Sequence, residues 1–220
     1  MLAIFWQHRK QVPFNRRGQT CTIRFFAPTS GYDAVVSPQL MAGWLNLDKR
    51  KFASVDTGYT DAKTGSKSTR PQFTKFLEKG ATTAVDRYDY PNNYPVIRYE
   101  DVLLMYAEIL NEEAAAPPAA AITILNRIRT RAGVANVTPV TKAEFKLAME
   151  QERAWEFRGE GLRWHDLVRT GRAIEVVDKF LKTNLISLGR SLDDHDLLYP
   201  IPLKELLINP DYWKQNSGYN

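Results

Sequence analysis

Residues 151–171, QERAWEFRGEGLRWHDLVRTG, bring together four carboxylates (Glu152, Glu156, Glu160, Asp166), four arginines (Arg153, Arg158, Arg163, Arg169), a histidine and two tryptophans. Carboxylates one helical turn apart are raw material for acid–base catalysis, for a metal cage, or for ion pairs that brace a fold. A di-metal site in a helical bundle requires Glu-x-x-His on two helices. The residues three before His8, His165 and His195 are Phe5, Leu162 and Leu192. The sequence contains no H-E-x-x-H, no G-x-S-x-G and no glycine-rich phosphate loop. Cys21 and the histidines fall in no triad-like context. No metal and no cofactor is therefore expected. The structural reading assigns Glu152, Arg153, Glu156, Glu160, Arg163 and Asp166 to an internal charge network. Arg153, Arg163, Arg169, or Arg127 and Arg131 on the preceding helix, would meet the carboxylates in bidentate pairs. The competing reading is an enzyme that uses Glu152 and Glu156.

The elements that must position these groups follow from periodicity. TKAEFKLAMEQERAWEFRG opens with Thr141 and Glu144 in a T-x-x-E capping box and is predicted helical to about Gly159. Phe145, Met149, Glu152 and Glu156 fall at spacings of 4, 3 and 4, so the two carboxylates continue an apolar stripe and Glu160 extends it by a turn. Like charges at i, i+4 on a buried face are unfavourable unless cations meet them. YEDVLLMYAEILNEEA (99–114) places Val102, Tyr106, Ile109 and Leu110 on one face with Leu103, Leu104 and Ala107 beside it. That arc is too wide for a surface helix and predicts two partners. In PPAAAITILNRIRTRAGV, Pro117 and Pro118 start a helix, Ile122, Leu125 and Ile128 face inward, and Gly133 stops it. The two helices have the dimensions of a tetratricopeptide hairpin, without that repeat's usual tryptophan, glycine and closing proline.

Upstream, residues 1–95 read as a loop-rich segment. CTIRFFA (21–27) is a candidate strand, and SPQLMAGWLNL a short helix with Ser37 as cap and Pro38 at its first position. TDAKTGSKSTRP (60–71) and DRYDYPNNYP (86–95) are loops. With the helical region 96–220 this segment is expected to make one structural unit.

Composition limits the function classes. At 220 residues and 44% hydrophobic composition the chain can bury a core. No stretch approaches the ~18 consecutive apolar residues of a membrane helix, and MLAIFW running into QHRK is too short for a signal-peptide core. The net charge of +5 is local: residues 1–30 hold five basic residues and no acidic one, leaving 25 basic against 25 acidic in the remainder. That distribution lacks the basic face nucleic acid requires, so no nucleic-acid partner is expected.

The segments PVIRYEDVLLMYAEILNE, ILNRIRTRAGV, MEQERAWEFRGEGLRWHDLVRTG and LLYPIPLKELLINPDYWKQNSGY follow in order a pattern that resembles the C-terminal part of the SusD/RagB family, the nutrient-binding outer-membrane lipoproteins of Bacteroidetes. The run E-R-x-x-E-x-x-x-E-G-x-R-x-x-D-L (Glu152 to Leu167), then Y-P-I-P and Q-N-x-G-Y, carries the resemblance, and SPQLMAGWLNLDKR is similar to the family's stretch ending in D-x-R (Asp48, Arg50). The resemblance covers residues 37–220 and roughly half the family's usual length. It implies a mainly α fold of tetratricopeptide-like hairpins with long irregular loops, no catalysis, and polysaccharide utilisation. The implied partners are a glycan and a SusC-type TonB-dependent transporter at the surface of the outer membrane.

Sugar rings stack on exposed aromatic faces while amides and carboxylates bond their hydroxyls. Tyr88, Tyr90, Asn92, Asn93 and Tyr94 have that composition, and Trp6, Trp44 and Tyr59 are further loop-region aromatics; Trp155 and Trp164 read as core. A peptide- or protein-binding helical-repeat module is the alternative to a glycan binder.

Overall fold

The structure is a computed structural model that describes residues 38–56, 59–60, 67–68, 72–73, 75, 95–183 and 190–219. The candidate strand at 21–27, the Ser37 cap, Trp6, the side chain of Tyr59 and the tyrosine loop at 88–94 lie outside the described residues. The chain divides into two compact units, one ending at Gly161 and one beginning at Leu162.

The unit ending at Gly161 is mainly helical, as the sequence predicts. It opens with two six-residue helices, α1 (Pro38–Gly43) and α2 (Lys49–Ser54). Asp48 caps α2 by accepting from the backbone N–H of Arg50. Short strands follow: β1 (Val55–Asp56) pairs antiparallel with β4 (Gln72–Phe73), and β2 (Tyr59–Thr60) with β3 (Lys67–Ser68). The long helices are α3 (Tyr99–Glu113), α4 (Ala119–Ala132) and α5 (Lys142–Glu156).

Helices α3 and α4 form the expected hairpin, with Gly133 at φ 78° ending α4. A left-handed residue there lets the Gly133 and Val134 amides return to the last carbonyls of α4. The Thr141–Glu144 capping box of α5 forms in both directions. Helix α5 ends at Glu156, a turn before Gly159, because the chain reverses there with Gly159 and Gly161 both at positive φ.

The core of this unit lies where three stripes meet. Helix α3 buries Leu104 and Ala107, α4 buries Ala121, Leu125, Ile128 and Ala132, and α5 buries Phe145 and Met149. The alanines keep α3 and α4 close. Ion pairs fix the directions: the start of α3 meets the ends of α4 (Glu100–Arg131, 2.6 Å) and α5 (Asp101–Arg153, 2.7 Å), and its end meets the start of α5 (Glu112–Lys146, 2.9 Å).

Helix α3 has the two partners expected of it, α4 and α5, but both lie against one face rather than on either side of it. Its inward face is Leu104, Ala107 and Asn111, while Tyr99, Val102, Tyr106 and Ile109, on the opposite side, are 47–61% exposed. These four repeat at spacings of 3, 4 and 3, the seam of a helix prepared to pack on another helix.

In the unit from Leu162, α6 (Arg163–Arg169) and α7 (Ala173–Thr183) enclose Leu167, Ala173 and Val177, with Trp164 packed against them. After a 3-10 turn at Asp194–Leu197 and the one-turn α8 (Leu203–Leu206), the chain is closed by side-chain clamps. In Tyr199-Pro-Ile-Pro202 only Ile201 and Tyr199 retain an N–H. Gln215 accepts from Ile201 N–H (2.8 Å) and donates to its carbonyl (2.9 Å), Asn216 donates to Tyr199 O (2.7 Å), and Tyr219 Oη to Leu198 O (2.8 Å). Gly218, at φ 88°, admits His195, whose Cβ would stand 2.6 Å from any Cβ added there.

An apolar seam left open on α3 should drive association of the 220-residue chain. Light scattering is expected to show concentration-dependent oligomers and binding of an apolar dye. Both should fall in Tyr106→Glu or Ile109→Glu with little loss of helical circular dichroism; a dye-silent, monodisperse parent chain contradicts this.

Candidate functional site

The carboxylate row of α5 stands at the C-terminal end of its helix, where the helix dipole is negative and repels it. Glu152 has no accessible surface and Glu156 and Glu160 are buried. Such a row persists only if cations are brought to it, and four separate parts of the chain bring them.

Arg50, two residues beyond the cap of α2, holds the centre. Its Nε and Nη2 donate side-on to Asp48 (2.9 and 2.8 Å), while Nη1 donates to Glu152 Oε1 (2.6 Å) and Glu156 Oε2 (3.1 Å). The other oxygen of Glu152 takes Arg129 from α4 at 2.8 Å. Glu156 Oε1 takes Arg131 from α4 (2.7 Å) and Arg98 from the start of α3 (2.9 Å). Glu160 takes Lys75 (2.5 Å) and Arg98 (2.9 Å). Glu100 completes the ring through Arg98 and Arg131. The carbonyl of Glu156, left unpaired by the end of α5, accepts from Lys75 Nζ (2.6 Å) and Arg98 Nη2 (3.1 Å).

Burial by itself would raise the Glu156 carboxyl, but hydrogen bonds and charge from Arg131 and Arg98 outweigh it and hold the group below its ordinary value. Asp48 behaves alike, burial being overcome by Arg50. Arg50 is raised: burial opposes its charge, and the bonds to Asp48 and Glu152 more than offset that. Lys75 is lowered, burial outweighing the attraction of Glu160.

A layer of aromatic rings flanks the ions. The Arg158 guanidinium lies 4.0 Å from the Trp155 ring centroid and 5.1 Å from that of Trp44. Arg98 and Arg153 both lie 4.9 Å from the Phe157 centroid. Trp44 is therefore corrected from a ligand candidate to a core residue: it is 2% exposed and packs on Trp155 at 5.3 Å. Lys51 closes this corner, donating to the carbonyls of Met41 and Trp44 and to Asn46.

The structure thus brings Glu152, Glu156 and Glu160 together with cations partly different from those the sequence suggested. Arg131 reaches Glu156, but Arg153 pairs with Asp101, and Arg127 stands over the Tyr99 ring at 5.8 Å. Arg163 and Asp166 lie in the other unit, where Asp166 pairs with Arg169 at 3.0 Å. Sequence reasoning missed Arg50, Lys75, Arg98 and Arg129 as partners. The one local signal was the D-x-R spacing at Asp48 and Arg50, since a partner 102 residues away leaves no periodic trace.

With their oxygens bonded to guanidinium and ammonium groups, these carboxylates offer neither a proton to give nor a free base to take one. Among the described residues, Asp193, His195 and Asp196 alone group ligand-type atoms within 4.8 Å. There Arg190 donates to Asp196 (2.6 and 2.8 Å), drawing that carboxyl down to about 2, and stands 3.1 Å from His195 Nε2. A cation already fills that corner.

The model of the SusD family matches residues 42–219. The chain belongs to the SusD family. Among its relatives, the SusD-like protein P25 of Formosa agariphila is 33% identical over 140 residues, covering 60% of this chain and 26% of that protein. The SusD-like protein P2 of the same organism is 28% identical over 208 residues, covering 84% of this chain and 40% of that one. A SusD superfamily protein from Parabacteroides distasonis shares the fold with a TM-score of 0.67 at 24% identity, over 86% of this chain and 42% of that one. Surface glycan-binding protein A of Bacteroides thetaiotaomicron, solved in complex with laminarihexaose, matches with a TM-score of 0.65 at 23% identity, over 88% and 44%. This SusD-family chain spans at most about two fifths of the length of these curated relatives.

Removing Arg50 takes a shared cation from Asp48, Glu152 and Glu156 at once. Arg50→Ala is expected to lower unfolding free energy by about 3 kcal/mol or more. Arg50→Lys should recover only part, because one ammonium cannot hold Asp48 side-on and reach α5; denaturant melts of both variants check this.

The pH dependence has a definite sign. Asp48 and Glu156 are depressed on folding, so their contribution is complete above their ordinary values of 3.8 and 4.5 and is lost as pH falls below them. Calorimetric Tm should therefore decline progressively below about pH 4.5, and less steeply in Glu156→Gln.

Proposed function

We propose that this chain is a non-catalytic nutrient-binding module that captures a glycan at the outer surface of the outer membrane and works with a SusC-type TonB-dependent transporter. The observation that carries this reading is SusD-family membership along residues 42–219. The laminarihexaose complex of a protein with the same fold supports a saccharide as ligand. The absence of catalysis is in keeping with the fate of the acidic row: Glu152 and Glu156 are held by Arg50, Arg98, Arg129 and Arg131. No described helix is long and apolar enough to cross a membrane.

Recognition is assigned to aromatic and amide groups. Trp44 is buried, and the candidates are Tyr88, Tyr90, Asn92, Asn93, Tyr94 and Trp6. Stacking on tyrosine with hydroxyls bonded to asparagine suits an uncharged ring, and the chain's balance of 25 basic to 25 acidic residues beyond position 30 gives no pull on an anionic polymer.

Native gels containing neutral polysaccharide test the reading. Retention of the chain should be nearly unchanged between ~50 and ~500 mM salt, because an uncharged ligand releases no counterions. Tyr88→Ala and Tyr90→Ala should weaken it. Retention by none of a broad set of glycans, or strongly salt-sensitive binding to DNA, would overturn it.

A further inference from the structure

We propose that Tyr212 and Trp213, in the turn before the C-terminal clamp, form a stacking platform for one uncharged sugar ring. The proposal rests on the glycan-binding reading above and adds a site to it.

The described tryptophans divide sharply. Trp44 is core, Trp155 packs on Trp44, and Trp164 packs on the Leu167 cluster. Trp213 is 51% exposed and its neighbour Tyr212 is 72% exposed. Their rings stand edge to face, centroids 5.0 Å apart and planes at 87°, so each steadies the other while both remain open to solvent.

The backbone beneath them is fixed. Asn209 O accepts from Tyr212 N–H (3.2 Å) and Trp213 N–H (2.9 Å), and Asn209 Oδ1 accepts from Tyr212 N–H as well (3.3 Å). Lys214 Nζ donates to Pro210 O (3.0 Å), and Gln215 is locked to both polar groups of Ile201. Rings carried by such a turn lose little freedom when a ligand settles on them.

The surroundings select the ligand. Asp211 is exposed, and its carboxylate, the Tyr212 hydroxyl and the Trp213 indole N–H make no hydrogen bond among the described residues. A pyranose offers an apolar C–H face to a ring and a rim of hydroxyls to such groups. Asp211 and Lys214 cancel in charge, which suits a neutral ring. The exposed Leu203, Leu207 and Ile208 nearby in sequence suit a protein surface instead. Covering the turn with protein would, however, require a matching cation or donor for the Asp211 carboxylate, which a sugar hydroxyl supplies without burying it.

The test is a neutral-glycan array probed with the 220-residue chain and with Trp213→Ala, Trp213→Tyr and Tyr212→Ala, each first matched to the parent by circular dichroism. The platform predicts a loss of at least tenfold in affinity for the bound glycan in Trp213→Ala, a smaller loss in Tyr212→Ala, and partial recovery in Trp213→Tyr. Equal binding by the parent and Trp213→Ala overturns the platform and leaves the glycan-binding reading standing. No binding by the parent overturns both. Unchanged glycan binding with self-association abolished by Trp213→Ala overturns the platform in favour of a protein interface.

Discussion

The packing of the larger unit depends on one guanidinium. Arg50 stands between Asp48 on its own turn and Glu152 and Glu156 on α5, and its planar fork is the only side-chain geometry that holds one carboxylate side-on while reaching others. Without it the end of α5 would present adjacent buried negative charges to its own negative dipole end. The cost of that arrangement is met by gathering α2, the start of α3, the end of α4 and Lys75 around one point. Five carboxylates (Asp48, Glu100, Glu152, Glu156, Glu160) meet five cations (Arg50, Lys75, Arg98, Arg129, Arg131), so the cluster is close to neutral.

The same stretch supplies aromatic rings against which several arginines rest. Arg158 lies against Trp155 and Trp44, and Arg98 and Arg153 against Phe157. A charge whose remaining faces rest on rings is less hydrated, which strengthens its bonds to the carboxylates. The unit from Leu162 is held differently. Its C-terminal strap relies on neutral amide clamps, Gln215 on Ile201 and Asn216 on Tyr199, at a segment where flanking prolines leave few backbone donors.

This use of charge bears on ligand choice. Groups committed to internal pairs are unavailable to an outside partner, so under the proposed function recognition is left to aromatic rings, amides and hydroxyls at the surface. Those groups suit uncharged, hydroxyl-rich ligands.

The sequence alone determined the local helices and the inward faces of α4 and α5, though not that of α3. The capping box of α5, the glycine stop of α4, the hairpin of α3 and α4 and the stripe that runs from Phe145 to Glu156 follow from interactions within a few residues, where periodicity records them. It also required that the acidic row meet cations, since like charges on a buried face admit no other outcome. Which cations these are was decided only by the tertiary structure. Arg50 and Arg98 lie 102 and 58 residues from their partners on α5, and pairing over such distances is set by how the helices pack, not by spacing along the chain. The fate of Trp44 was decided in the same way. Its flanking sequence is that of a short helix in a loop-rich segment, and only the arrival of Trp155 and Arg158 from the other end of the unit closes over its ring.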